Sequence, residues 1–158
     1  MKKAIFLVMA ALMVLACTST SRQVNACNFS GYSFCLALPS EFKVMAGRDI
    51  GDFFTHILRN QSQEYDVLIY EGNHPDLGLE PETVGSFEWT LGEVTYSADV
   101  INSDLYSYSV LLKREDVRMP TRIHVTTDAS NPEVAIDEVL QVMRGCKEIP
   151  SADFRCSM

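Results

Sequence analysis

One stretch near the C-terminal end carries helical periodicity, while nearly every other apolar run in the chain alternates with polar residues. Ile136, Val139, Leu140 and Met143 recur at i, i+3, i+4 and i+7, which lines one apolar stripe along a helix. Ser130 or Asn131 is expected to cap it, Pro132 to sit in its first turn, and Glu133 to complement the N-terminal dipole. Arg144 then falls in the last turn and Gly145 supplies the stop. Upstream, residues 33–38 alternate, with Phe34, Leu36 and Leu38 on one face, and end at Pro39. Residues 52–59 and 64–70 flank the polar turn Asn60-Gln61-Ser62-Gln63 and read as a hairpin, although 52–59 also admits a short helix. Residues 71–85 contain Gly and Pro and form an irregular loop. A second hairpin joins 87–91 to 94–100 around Gly92-Glu93, and 105–113 and 122–127 complete the strands. A narrow helical stripe must be buried against something, and a sheet is the available partner. The expected fold is therefore α+β, an antiparallel sheet of about five to seven strands covered on one side by the C-terminal helix.

The N-terminal residues carry an address. Lys2 and Lys3 precede the uncharged residues 4–16, which suit a secretory apolar segment and are short for a membrane span. Val14-Leu15-Ala16-Cys17 is similar to the lipobox of bacterial lipoproteins. That resemblance implies a signal peptide over 1–16, acylation of Cys17 and an acyl-anchored tether over 17–32. By resemblance to Gram-negative lipoproteins, Thr18, rather than Asp, after the cysteine implies sorting to the outer membrane, with the domain facing the periplasm. A competing cut after Val24-Asn25-Ala26 would release a soluble periplasmic or secreted protein beginning at Cys27.

Apart from Cys17 the chain holds four cysteines: Cys27, Cys35, Cys146 and Cys156. An even set in an exported domain implies two disulfides, and sequence alone leaves every pairing open. Bridges between the two ends would close a loop of about a hundred residues or more, worth about 4–5 kcal/mol on chain entropy. That arrangement is favoured here over local staples. No CxxC is present and His56, His74 and His124 do not cluster with the cysteines, so no metal site is expected. Residues 33–158 have the length of one domain and contain no linker or repeat.

A strand ending in Leu38-Pro39, several central antiparallel strands and a last strand leading into a terminal helix resemble the PsbP-like α+β fold. Exported lipoproteins of the DcrB type resemble it too. The likeness covers residues 33–145 as an order of elements. It implies a domain that binds or assists other proteins, without a shared active site.

Charge supplies the clearest chemical signal. With Lys2 and Lys3 removed, 11 basic residues remain against 21 acidic ones, a net charge near −10. Such a balance excludes nucleic acid as a partner and leaves acyl chains as the membrane contact. Residues 60–112 hold no Lys or Arg but ten carboxylates: Glu64, Asp66, Glu71, Asp76, Glu80, Glu82, Glu88, Glu93, Asp99 and Asp104. Aromatic residues interleave with them, including Tyr65, Tyr70, Phe87, Trp89, Tyr96, Tyr106 and Tyr108. Acids with aromatic anchors suit a basic protein surface, whereas strand alternation could instead bury the rings and leave a solvated acidic face. Glu71, Asn73, His74, Asp76, Glu80 and Glu82 are the candidate partner-binding residues. Within them, Asn73-His74-Pro75-Asp76 sets an imidazole, an amide and a carboxylate on one loop, where a local turn competes with ligand binding.

No GxSxG, HExxH, P-loop or dinucleotide-type glycine pattern occurs, and no catalytic residue or cofactor is expected. Both His124 and His56 read as strand residues facing solvent or a core hydrogen bond. Three functions stay open: a non-enzymatic envelope lipoprotein that binds another protein or supports an assembly; an immunity-type lipoprotein neutralising a basic, periplasm-targeted cell-wall hydrolase; and a small-ligand or metal binder.

Overall fold

A computed structural model describes residues 27–49, 51–91, 94–114 and 122–145. Cys17, Cys146, Cys156 and Glu93, like the signal segment and most of the tether, lie outside the described residues.

Among the described residues, ten strands and one helix follow in chain order: β1 Phe29–Ser30, β2 Phe34–Leu36, β3 Phe42–Asp49, β4 Phe53–Asn60, β5 Tyr65–Gly72, β6 Glu82–Leu91, β7 Val94–Asn102, β8 Ser109–Lys113, β9 Arg122–Thr127, α1 Pro132–Val142 and β10 Met143–Gly145. Seven strands form one antiparallel sheet in the order β3-β4-β5-β9-β8-β7-β6, two meanders joined where β5 pairs with β9. The remaining three form a small sheet in the order β1-β2-β10. The fold is α+β, as the periodicities require.

Alternation explains which way each strand faces. Leu58, Val67, Ile69, Tyr96, Ala98, Val110, Leu112, Ile123 and Val125 point to one side of the large sheet and are buried there. Ala135, Ile136, Val139 and Leu140 of α1 close over part of that side, and Phe34, Leu36 and Met143 of the small sheet close over the rest. Removing a side chain such as Ile136 from water is worth about 1.5–3 kcal/mol, so this shared core dominates the stability.

The β4–β5 hairpin is organised by Asn60. Its buried Oδ1 accepts from Ser62 N (3.0 Å), Ser62 Oγ (2.8 Å) and Gln63 N (3.1 Å), and its Nδ2 donates to Tyr65 Oη (3.1 Å). That hydroxyl in turn donates to Glu138 Oε2 of the helix (2.6 Å). Burial and the nearby carboxylate push the Tyr65 phenol up to about 12.

Several expectations are corrected. The helix ends at Val142, not Gly145, because Met143 turns into an extended conformation and pairs with Leu36 while Arg144 pairs with Cys35. Arg144 still serves the helix end, donating from Nη1 to the carbonyls of Gln141 and Met143 (both 2.8 Å). Asn131 holds the N-cap position, but its side chain makes no capping hydrogen bond. Folding begins before Ser33, since Phe29–Ser30 is already a strand within the segment expected to be tether. The expected loop 71–85 is shorter: β5 runs to Gly72 and β6 begins at Glu82. Of 105–113, only Ser109–Lys113 is strand. Finally, Cys27 bonds Cys35, eight positions away, instead of the far end of the chain. A β1–β2 hairpin brings these two cysteines together locally, so this bridge staples the N-terminal turn.

Candidate functional site

The candidate residues separate into a buried group and an exposed one. Glu71 belongs to the first, and the surface expectation for it is corrected. It lies on β5 in register with Val67 and Ile69, so strand alternation turns it to the core side, where it is fully buried. Its Oε1 accepts from Tyr32 N (3.1 Å), Ser33 N (2.8 Å) and Ser33 Oγ (2.9 Å). Oε2 accepts from Tyr32 N (2.9 Å) and lies 2.9 Å from His56 Nε2. A side chain at Gly31 would stand 2.5 Å from the Phe34 ring and 2.6 Å from Glu71 Oε2, so the turn needs glycine to reach the carboxylate. Glu71 thus latches the disulfide-stapled hairpin onto the large sheet. It is a structural residue.

The other candidates lie on residues 73–82, which lead from β5 to β6. Asn73 is half-buried, its carbonyl accepting from Arg122 Nη1 (3.2 Å). His74 is exposed, with its backbone N–H directed to Tyr70 Oη at 3.3 Å. Asp76 is exposed and accepts from Gly78 N (3.0 Å), closing a local turn. Glu80 and Glu82 are exposed, Glu80 at a positive φ of 50°. The Asp76 carboxylate is engaged by the backbone of its own loop and His74 faces solvent, which favours the local-turn reading of this segment.

A second loop braces the first. Asp104 Oδ1 accepts from Leu79 N at 2.6 Å. Ser103 Oγ accepts from Leu105 N and Tyr106 N (both 3.3 Å), folding residues 103–106 into a turn. Between the loops sits Gly78, at φ +82°, where a Cβ would lie 2.6 Å from Asp104 Oδ1 and 2.7 Å from Ser103 Oγ. Only glycine satisfies both the conformation and the space. The pair of loops presents Asp76, Glu80, Glu82 and Asp104 to solvent beside Leu79, 75% exposed, and Leu105, 56% exposed. Sequence reasoning missed Leu79, Asp104 and Leu105. A leucine isolated among Gly, Pro and acidic residues was the available signal, because such a position cannot supply a strand face.

The rest of the acidic run lies away from these loops. Asp66 is paired with Arg59 (2.6 Å) and Asp99 with Lys113 (2.5 Å), and each hydrogen bond holds its carboxyl below the ordinary range. Glu64 lies in the β4–β5 turn and Glu88 on β6.

Beneath the braced loops, on the sheet face away from α1, His124 is buried against the edge of Tyr106 (centroids 5.3 Å apart) with Nε2 3.0 Å from Ser109 Oγ. Burial pushes its imidazole down to about 4, the nearby Asp76 opposing in part. Ser109 is itself fully buried and donates its hydroxyl proton to Ile101 O (3.3 Å), leaving the oxygen to accept from His124. That polarity is opposite to the one a nucleophilic serine requires, and no substrate atom can reach it. This pair is packing.

Among the described residues no group of three or more His, Cys, Asp or Glu is placed to hold a metal ion, and no helix is long and apolar enough to cross a membrane. A cleft of about 360 Å³ between the β4–β5 turn and the start of α1 is lined by Glu64, Tyr65, Asp128, Ser130, Asn131 and Val134 among others, and by none of the candidate residues. No protein-family model matches the chain, and neither do any curated protein or solved structure.

Proposed function

We propose that this chain is a non-enzymatic envelope lipoprotein, anchored through acylated Cys17 at the outer membrane, whose domain binds a basic envelope protein. The observation that carries the reading is the braced loop pair. Four exposed carboxylates, Asp76, Glu80, Glu82 and Asp104, surround exposed Leu79 and Leu105 on a support fixed by hydrogen bonds. Carboxylates steer a cationic partner to the site, the two leucines offer apolar contact once it arrives, and a preformed loop loses little entropy on binding.

The immunity-type reading draws on the same surface. Leu79 projects from a stiff loop flanked by acids, a form that suits insertion into the cleft of a basic hydrolase.

Crosslinking capture from membranes tests the proposal. Glu80→Lys with Glu82→Lys is expected to reduce recovery of a basic partner at least about tenfold, because it places like charges together, and added salt should weaken wild-type capture. Cys17→Ser should move the protein out of the membrane fraction. Unchanged capture by the charge-reversed protein would return the acidic residues to a solvated face, and retention of Cys17→Ser in membranes would remove the anchor.

A further inference from the structure

The large sheet ends in two unlike edges. β3 is protected: a bulge at Met45 interrupts its pairing with β4, and Lys43 and Arg48 stand along it, exposed. Bulges and cationic side chains are the usual guards against a further strand. β6, at the other end, pairs only with β7 and has no second neighbour among the described residues. It carries a bulge at Val84, but from Gly85↔Val100 to Leu91↔Val94 its register is unbroken, and residues 82–91 contain neither Lys nor Pro.

Its side chains divide by face. Phe87, 39% exposed, and Trp89, packed 5.3 Å from the Tyr96 ring, lie on the side of α1. Ser86, Glu88 and Thr90 lie on the other side. Glu80 and Glu82 enter the strand directly from the braced loops, so the acidic platform runs on into the free edge.

We infer that β6 receives an added strand: an extended segment of a partner protein in which Lys or Arg alternates with apolar residues. The inference rests on the protein-binding reading above and specifies its mode. Backbone groups of the free edge supply the register, Phe87 and Trp89 meet the apolar residues, and Glu88 meets the cations. Charge chooses this occupant over a second copy. Twofold pairing of β6 with itself would set Glu82 and Glu88 of both copies along one seam. Continuing the sheet with β3 of another copy would make a parallel pair and meet the Met45 bulge.

The probe is a short synthetic peptide alternating lysine with valine, with glutamate replacing lysine in the control, and the readout is amide exchange of the full domain by NMR. At ten times Kd the lysine peptide should slow exchange of outward-facing amides within residues 85–90 by about tenfold, and the glutamate peptide should not. Phe87→Lys with Glu88→Lys should abolish that protection while amides of β5, β8 and β9 keep theirs, since both residues stand on the edge strand away from the centre of the sheet. Protection at β3, protection confined to residues 73–82, or none would overturn the added strand, as would a concentration-dependent dimer protecting β6 without peptide. If capture depends on Glu80 and Glu82 while β6 amides stay unprotected, the strand mode falls and the acidic platform survives.

Discussion

Acidification should cost this domain stability through His124 well before its carboxylates titrate. The side chain is 3% exposed, packed edge-on to Tyr106 and hydrogen-bonded to buried Ser109, and burial lowers its pKa from 6.5 to about 4. In the unfolded chain the ring regains its ordinary value and takes up a proton below pH 6.5, whereas the native ring stays neutral. The unfolded state therefore binds more protons between the two values. Stability from this group is complete above 6.5, declines as pH falls towards 4, and is fully lost below. At 1.36 kcal/mol per tenfold in proton concentration, the whole effect is about 3 kcal/mol, of which about 2 kcal/mol falls between pH 7 and pH 5. Urea unfolding at these two pH values, for wild type and for His124→Gln, isolates it, because the glutamine keeps a donor for Ser109 and does not titrate. The wild type should lose about 2 kcal/mol more than the variant across that interval. Parallel losses, or a His124 ring proton titrating near 6.5 in the native protein, would refute the reasoning.

Two further perturbations probe the N-terminal latch. Glu71→Ala removes the buried acceptor shared by Tyr32 N, Ser33 N, Ser33 Oγ and His56, and should cost about 3 kcal/mol or more in urea unfolding, with faster amide exchange at Tyr32 and Ser33; a loss under about 1 kcal/mol would mean that water replaces the carboxylate. Replacing both Cys27 and Cys35 by Ser opens a loop closed over a separation of eight, worth about 2.5 kcal/mol on chain entropy, and should lower the melting temperature reversibly with loss of β1–β2 protection before global unfolding.

What could be read in advance follows from where the information resides. The strand at Arg122–Thr127 and both main hairpins were legible because alternation and turn residues are local signals. β3 was not, since after Phe42 every residue of that edge strand is exposed and no alternation survives. Met143 continues the helical stripe in sequence, yet belongs to β10, because its pairing with Leu36 lies over a hundred residues away in the chain. For Glu71 the signal was present: period two from Tyr65 through Val67 and Ile69 places it on the core face. Density of acidic residues obscured it. The braced loops depend on contacts between residues 76–79 and 103–106, which no local pattern reports.

A run of carboxylates without Lys or Arg is a statement about one dimension, and the sheet redistributes it in three. Register sets Arg59 opposite Asp66 and brings Lys113 to Asp99, drawing cations from outside the run onto acids within it. Alternation sends Glu71 inward, where backbone donors replace solvent. The acidic residues left for a partner stand mainly where the backbone leaves the strand pattern, in the loops and at their junction with β6, with Glu88 following along that edge strand. Fewer charges remain than the sequence suggests, but they stand on loops closed by Asp76 and Asp104 themselves, through Gly78 N and Leu79 N. In these two residues the same carboxyl groups both fix the backbone and face the solvent. A partner binding there meets a surface already ordered, so less of its interaction energy goes into ordering the loop than a flexible acidic tail of equal charge would require. That is the physical reason to expect selectivity for the spacing of cations, beyond their number.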